Sequence, residues 1–446
     1  MKNFKMSLVS SLMITTAAFA GMGKFEESIY VNGSNKDLVK LIETHPELIM
    51  DHMDSEGFEL FGPKGTKKWL NSMGVSFQKM DTHSHGKNNQ NFAGYPSFSE
   101  IESFLKSMVK KYPKIAKLIS IGKSVQGRDL YVLKISDNVS VDEVEPEFKY
   151  ISSMHGDEIT GRELTQALIK DLLEGYGTNA RYTELINNTE LFIMPSMNPD
   201  GSKRRRRANA NGVDLNRNFP NWNAKNDSKF GREIETQAVM KFQEKRNFSL
   251  SANFHGGAVC VNYPWDSTKT RHPFDKLLQN LSTKYSAENR PMFTSREFNN
   301  GITNGADWYV VKGGMQDWSY VFHNDLQVTI ELSSDKWPRY SEIPQFYKDN
   351  KEAMIVYAEA VHQGAGFKLG NSTESGSVKI KQIVGSKKID KGSFGFRGGE
   401  FYKVLPEGEY EFSVKIDKRR RKNRSKTFTA IVTKDTTAIN GNYTKI

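Results

Sequence analysis

Only one cysteine, Cys260, stands among the 446 residues. No disulfide can form within the chain, and a disulfide scaffold or a cysteine-rich zinc or iron–sulfur site is excluded. Flanked by Val259 and Val261, Cys260 reads as a small buried hydrophobe of a strand rather than a reactive thiol. Beyond the N-terminus no stretch approaches the roughly 18 consecutive apolar residues of a membrane span, and no internal repeat is present. Acidic residues are the scarcer charge: 63 Lys and Arg face 52 Asp and Glu, for a net charge of +11. That balance suits an anionic partner without requiring one. Aromatic residues at 11% argue against wholesale disorder, and the length allows one large core or several domains.

The first twenty residues read as an address rather than as fold. Lys2 and Lys5 precede an uncharged, mostly apolar run over residues 6–17, and Ala18-Phe19-Ala20 forms a small-residue cleavage signature. This is the pattern of a secretory signal peptide. Its removal takes two lysines and no acid, leaving +9. A secreted or periplasmic bacterial location is expected, which a single cysteine suits.

Three further segments follow. Residues 21–80 form a small separate α+β module, with helices over 36–43 and 66–73 and strands over 58–61 and 75–80. A polar linker covers 81–93, and its His83 and His85 read as solvated rather than as metal ligands. Residues 94–366 alternate strands (119–122, 130–135, 148–152, 190–194, 250–254, 326–332) with amphipathic helices (97–111, 159–173). That alternation implies an α/β domain with a mixed central sheet covered by helices on both faces. Residues 370–446 turn to strand-like runs separated by Gly, Pro and Lys, a small β-sandwich pattern. The basic run 418–426 within it reads as a solvated hairpin loop, with an anionic polymer as the alternative.

Chemistry is concentrated in three places. His155-Gly-Asp-Glu158 follows a strand, and its spacing lets an imidazole and a carboxylate turn onto one metal. Nitrogen and oxygen ligands without thiolate suit Zn²⁺. His255, at another strand end, is the candidate third ligand, since strand ends along one sheet edge are where sites assemble. H-x-x-E alone is a weak signal. The second place is Asp214-Leu-Asn216-Arg217, where a planar guanidinium matches a carboxylate bidentately, although a surface loop would read the same. The third is Glu331, a lone acid in an apolar strand, which must face a metal, an arginine or a cleft, or sit in a structural ion pair.

These motifs, taken in order, resemble the zinc metallocarboxypeptidases. Tyr95-Pro-Ser-Phe-Ser-Glu-Ile101, Tyr112-Pro113 and Ile121-Gly-Lys-Ser-Val-Gln-Gly-Arg128 are similar to that family's opening. His155–Glu158, Asn198-Pro-Asp-Gly201, residues 214–220, Asn253–Gly257 and residues 301–317 through Glu331 continue the resemblance, which covers about 94–366. It is strongest to the regulatory N/E-type branch, which carries a transthyretin-like β-sandwich after the catalytic domain; residues 402–410 resemble part of it. Residues 21–90 vaguely resemble the propeptide modules of the digestive branch. The resemblance implies that His155, Glu158 and His255 bind one Zn²⁺ and that Glu331 is the general base. It implies that Arg207 polarises the scissile carbonyl and that Asn216, Arg217 and Tyr309 hold the substrate's terminal carboxylate. Asp266, eleven residues past His255, and Gln316 match pocket positions for a basic last side chain. Arg206 stands where the branch has glycine, so Arg207 is chosen by its nine-residue distance to Asn216. Ser333 and Ser334 replace common cysteines, and Asp157 replaces a common asparagine.

The expected activity is removal of C-terminal Lys or Arg by a secreted enzyme, acting on peptide or protein C-termini and probing neither membrane nor specific nucleic acid, as a monomer. The alternatives are the same chemistry on peptidoglycan-derived peptides, whose diamino acid offers both a carboxylate and an amine, and a non-catalytic binding module. All four expected catalytic positions are kept, which speaks against the last. A retained N-terminal module would shield the cleft until the 81–93 linker is cut.

Overall fold

The computed structural model describes residues 24–33, 35–80, 94–224, 227, 230–370, 373–417, 424–433 and 443–446. The expected signal peptide, the 81–93 linker with His83 and His85, and most of the 418–426 basic run lie outside the described residues.

The N-terminal module is a four-stranded antiparallel sheet of β1 (Glu27–Asn32), β2 (Ile49–Asp51), β3 (Gly57–Gly62) and β4 (Phe77–Lys79), in the order β2-β3-β1-β4. Helices Lys36–Glu43 and Thr66–Ser72 accompany it. Asn35 caps the first, accepting from the backbone N–H of Asp37 and Leu38.

The main body holds an eight-stranded mixed sheet. Its strands are β5 (Ala116–Lys123), β6 (Asp129–Ile135), β7 (Glu147–Ser152), β8 (Glu190–Met194), β9 (Phe248–His255), β10 (Val259–Tyr263), β11 (Ile302–Asn304) and β12 (Leu326–Leu332), in the order β11-β10-β12-β9-β7-β8-β6-β5. The inner four, β12, β9, β7 and β8, run parallel. Alternate side chains feed opposite faces. Tyr150 joins a core with Leu164, Leu168, Leu281 and Met354, while Ile151 joins another with Val239, Phe242 and Trp318. Both faces are therefore covered by helices. The helix Phe98–Lys111 opens on a capping box between Ser97 and Glu100. Lys149 breaks the apolar run of β7; it is buried against Asp325, and its ammonium also donates to Ser251 Oγ at 3.2 Å. A buried charge persists there because it is paired and hydrogen-bonded.

The C-terminal part consists of two sheets. One holds β13 (Gly364–Lys368), β16 (Glu400–Val404) and β19 (Tyr443–Lys445); the other holds β14 (Gly376–Val384), β15 (Lys387–Phe396), β17 (Gly408–Ile416) and β18 (Arg424–Val432). Phe367 of the first meets Phe396 and Phe428 of the second. β13 starts two residues before the expected end of the catalytic segment at 366, because Gly364 and Gly366 let it lie close against β16. The N-terminal module packs against the main body, where Ile29, Val31, Phe58 and Leu60 share one core with Cys260, Trp308, Tyr309 and Val311. No helix among the described residues is long and apolar enough to cross a membrane.

Candidate metal centre

The parallel strands β7, β9 and β12 end along one edge of the sheet, where loops can converge on a ligand. His155 lies three residues past β7, His255 closes β9, and Glu331 is the penultimate residue of β12. The β9–β12 register pairs Glu331 with His255, so both side chains leave the same face. Gly156 lets the turn after His155 nest against the backbone of Gly201, where a Cβ would lie only 2.2 Å from its carbonyl carbon.

His155 Nδ1 is 2.8 Å from Glu158 Oε1 and 3.1 Å from His255 Nδ1, and His255 Nδ1 is 2.8 Å from Glu158 Oε2. All three residues are buried. Two imidazole nitrogens facing each other across a carboxylate cannot all be satisfied by one shared proton. A cation between them satisfies all three, and this donor set fits Zn²⁺. His155 Nε2 is 3.1 Å from Asp214 Oδ1, a contact in which Nε2–H donates and leaves Nδ1 free for a metal. Burial pushes the Asp214 carboxyl up, but Arg207, His155 and Arg217 outweigh it and hold it well below the usual range. Asp214 also accepts from Arg207 Nε at 2.8 Å and from the Asn216 backbone N–H at 2.8 Å, tying the metal ligand to the arginine loop. Sequence reading quoted Asp214 only as part of a motif and gave it no role. Asp214→Asn is expected to weaken metal binding by about 10- to 100-fold, as read by competition with a chelator; unchanged affinity would remove it from this role.

Arg207 points its Nη1 at the same cluster, 3.2 Å from His155 Nδ1 and 3.4 Å from Glu158 Oε1. Asn216 Oδ1 accepts from the Met315 backbone N–H at 3.0 Å, which fixes the 216–217 turn against the 313–317 segment. Arg217 and Tyr309 are buried beside it. Asp266 lies deeper. Its Oδ1 accepts from Gln316 Nε2 at 2.8 Å and from Asn262 Nδ2 at 3.3 Å. Gln316 Oε1 and Asn262 Oδ1 are buried with no hydrogen-bond partner among the described residues. Burial, reinforced by the nearby Asp317, pushes the Asp266 carboxyl well up. This buried cluster thus presents acceptors in excess of donors. Asn262 was not foreseen as part of it, since nothing local marks it, and Asp317 stood only as the end of a motif with no role.

A three-donor metal centre at the carboxyl ends of parallel strands, with an adjacent carboxylate and a row of buried arginines, defines a metal-dependent hydrolase of α/β architecture. The zinc carboxypeptidase profile matches residues 101–353, more than half of the chain, and the protein belongs to that family. Carboxypeptidase D from Homo sapiens is 40% identical over 343 residues, covering 71% of this chain and 25% of that protein. Carboxypeptidase M from Mus musculus is 37% identical over 344 residues, covering 71% and 76%. The catalytic chain of carboxypeptidase N from Homo sapiens is 37% identical over 366 residues, covering 71% and 79%. The chain spans about a quarter of the carboxypeptidase D proteins it matches, and its place is in the N/E-type branch. Carboxypeptidase A from Helicoverpa armigera shares the fold, with a TM-score of 0.60 at 20% identity over 76% of this chain and 98% of that one.

Proposed function

We propose that this zinc carboxypeptidase removes C-terminal Lys or Arg from peptides after export through its N-terminal signal segment. The observation that carries the substrate class is the buried cluster of acceptors around Asp266. Asp266 Oδ2 faces the Asn216 turn, a Cβ built on Gly314 lying 3.6 Å from it and 3.5 Å from Asn216 Oδ1. With the unpartnered acceptors of Gln316 and Asn262, this makes a site that a cationic side chain satisfies and an aliphatic one leaves unpaired.

His155, Glu158 and His255 would hold the zinc, which when bound would supply Lewis-acid activation for hydrolysis. Glu331 takes the proton of the attacking water at its carboxylate and returns it to the leaving amine. Arg207 donates to the oxyanion that develops on the carbonyl. Asn216, Arg217 and Tyr309 bind the terminal carboxylate, which restricts cleavage to the last residue. Export is supported by Lys2, Lys5, the apolar run and Ala18-Phe-Ala20.

The test is mass spectrometry of matched peptides ending in Lys, Arg, Phe, Leu or Glu, with and without a chelator. Loss of only terminal Lys and Arg, stopped by the chelator, is expected. Equal trimming of Phe and Leu would overturn the pocket assignment, and trimming of peptidoglycan-derived peptides alone would move the substrate to the cell wall.

A further inference from the structure

The seam between the N-terminal module and the main body holds charge in two different ways. Beside the metal centre, charges are paired. Asp51 at the end of β2 accepts from Arg207 Nη1 and from the Tyr309 hydroxyl, the His52 ring covers Gly257, and Glu59 pairs with Lys336 at 2.6 Å. Farther along, the seam opens into a cavity of about 600 Å³ where like charges face each other. Lys67 and Lys79 stand on the module's side, and Arg204, Arg205 and Arg206 on the other. Glu26 and Asp157 are the acids of its lining. Among the described residues, no carboxylate pairs with Lys67, Lys79, Arg204 or Arg206.

Unrelated elements bring these cations together. Lys67 belongs to the helix Thr66–Ser72 and Lys79 to β4. Arg204 ends the helix Pro199–Arg204, and Arg205 follows with left-handed backbone, φ 53°. That turn fans the run 204–207 apart. Arg207 goes to the metal cluster, the Arg205 guanidinium lies 5.5 Å from the ring centroid of Trp337, and Arg204 and Arg206 stay exposed. A helix C-terminus favours cations on its own last turn, but it does not account for lysines brought from a second folded unit. The Phe25 N–H donates to the Gly212 carbonyl at 3.2 Å, so backbone pairing ties the two walls together. Like charges held face to face in a cleft cost free energy, and an anion between them removes that cost.

We propose that this cavity binds a ligand carrying two or more phosphate groups, which bridges Lys67 and Lys79 to Arg204 and Arg206. The volume is many times the ~30 Å³ that one water takes in the liquid, enough for a short phosphate chain. Arginine forks match phosphate oxygens bidentately. A terminal phosphate carries about two charges and spreads its acceptor oxygens around one centre, so it accepts from both walls at once, as a planar carboxylate does not. Free polyphosphate and a phosphorylated lipid headgroup share this chemistry. The four bridging cations are not among the groups assigned to substrate, so the site stands or falls apart from that reading.

The experiment titrates the intact chain calorimetrically with inorganic phosphate, pyrophosphate and tripolyphosphate, and measures co-sedimentation with vesicles containing cardiolipin, a lipid with two phosphates. Four forms are compared: the native chain, Lys67→Glu, the double variant Arg204→Glu, Arg206→Glu, and Lys276→Glu, an exposed position outside the cavity. Tripolyphosphate is expected to bind at least about 10-fold more tightly than phosphate and to raise the melting temperature of the native chain. The substitutions on either wall should each weaken it about 10- to 100-fold, and Lys276→Glu should leave it unchanged. Without ligand, the wall variants should melt no lower than the native chain, because each removes like-charge opposition. Lower melting of both would show the cations already satisfied and overturn the proposal. So would equal affinity in all four forms, phosphate binding as tightly as tripolyphosphate, or binding of no probe. Binding to cardiolipin vesicles alone, lost in both wall variants, would make a lipid headgroup the source of the phosphates.

Discussion

Glu331→Gln, in the chain freed of its N-terminal module, is expected to keep its full zinc content and lose about 10²- to 10⁴-fold in kcat. The substitution preserves shape within a strand whose neighbours Ile330 and Leu332 are buried, so the scaffold has no reason to move. What changes is proton affinity: an amide oxygen cannot take the proton of an attacking water and return it to the leaving amine. Glu331 is not among the three clustered metal donors, so metal content, measured by elemental analysis, should not fall. Because the interaction belongs to the transition state, kcat and kcat/KM should drop together. Near-normal turnover would take the general base away from Glu331. Loss of zinc would instead make it a structural support of the centre.

Asp266→Asn should be the second large effect, confined to one class of substrate. Removing one partner of a buried charge pair costs about 2–5 kcal/mol, or roughly 30- to 5,000-fold in kcat/KM for peptides ending in Arg or Lys. Peptides ending in Leu should lose nothing by comparison. Burial and Asp317 hold the Asp266 carboxyl well above the ordinary range, which favours its protonated form in an empty pocket. An entering cation draws it back to the ionised form and releases a proton. Affinity for Arg-ending peptides should therefore rise with pH as Asp266 ionises and fall as pH is lowered. Calorimetry in buffers of different ionisation heat should report proton release on binding, and its absence in Asp266→Asn. If Arg-ending peptides are cleaved as well by the variant as by the native protein, the cation is read elsewhere.

Asp51 of the N-terminal module accepts from Arg207 and from the Tyr309 hydroxyl, which is why both variants are best compared in the chain freed of that module. Among the described residues, the groups expected to touch substrate are buried, including Arg207 at 3% and Tyr309 at 9% exposure. A cleft that accepts polypeptide C-termini has to be more open than that. The covering groups are a carboxylate and an imidazole, the same chemistry that the site receives from a substrate terminus and a metal ligand set.

What the amino-acid sequence determined by itself was the metal centre and the sheet that presents it. His155 and Glu158 are three positions apart, His255 closes a strand and Glu331 is a lone acid inside an apolar one, so spacing marked them as candidates and the family resemblance joined them into one site. The inner strands were legible for the same reason, since a run buried on both faces reads as apolar without knowing its neighbours. Lys149 in β7 violated that pattern, and only the fold supplied Asp325, 176 positions away, as its reason. The tertiary structure alone showed which residues of the N-terminal module meet the site. β2 is three residues long and carries no periodicity, and its Asp51 and the His52 that follows it are unremarkable in their local setting. Their meaning comes from Arg207, 156 positions on, and Tyr309, 258 positions on. Contacts over such distances are set by the matching of two folded surfaces in charge and shape, and no local pattern of residue types encodes that matching.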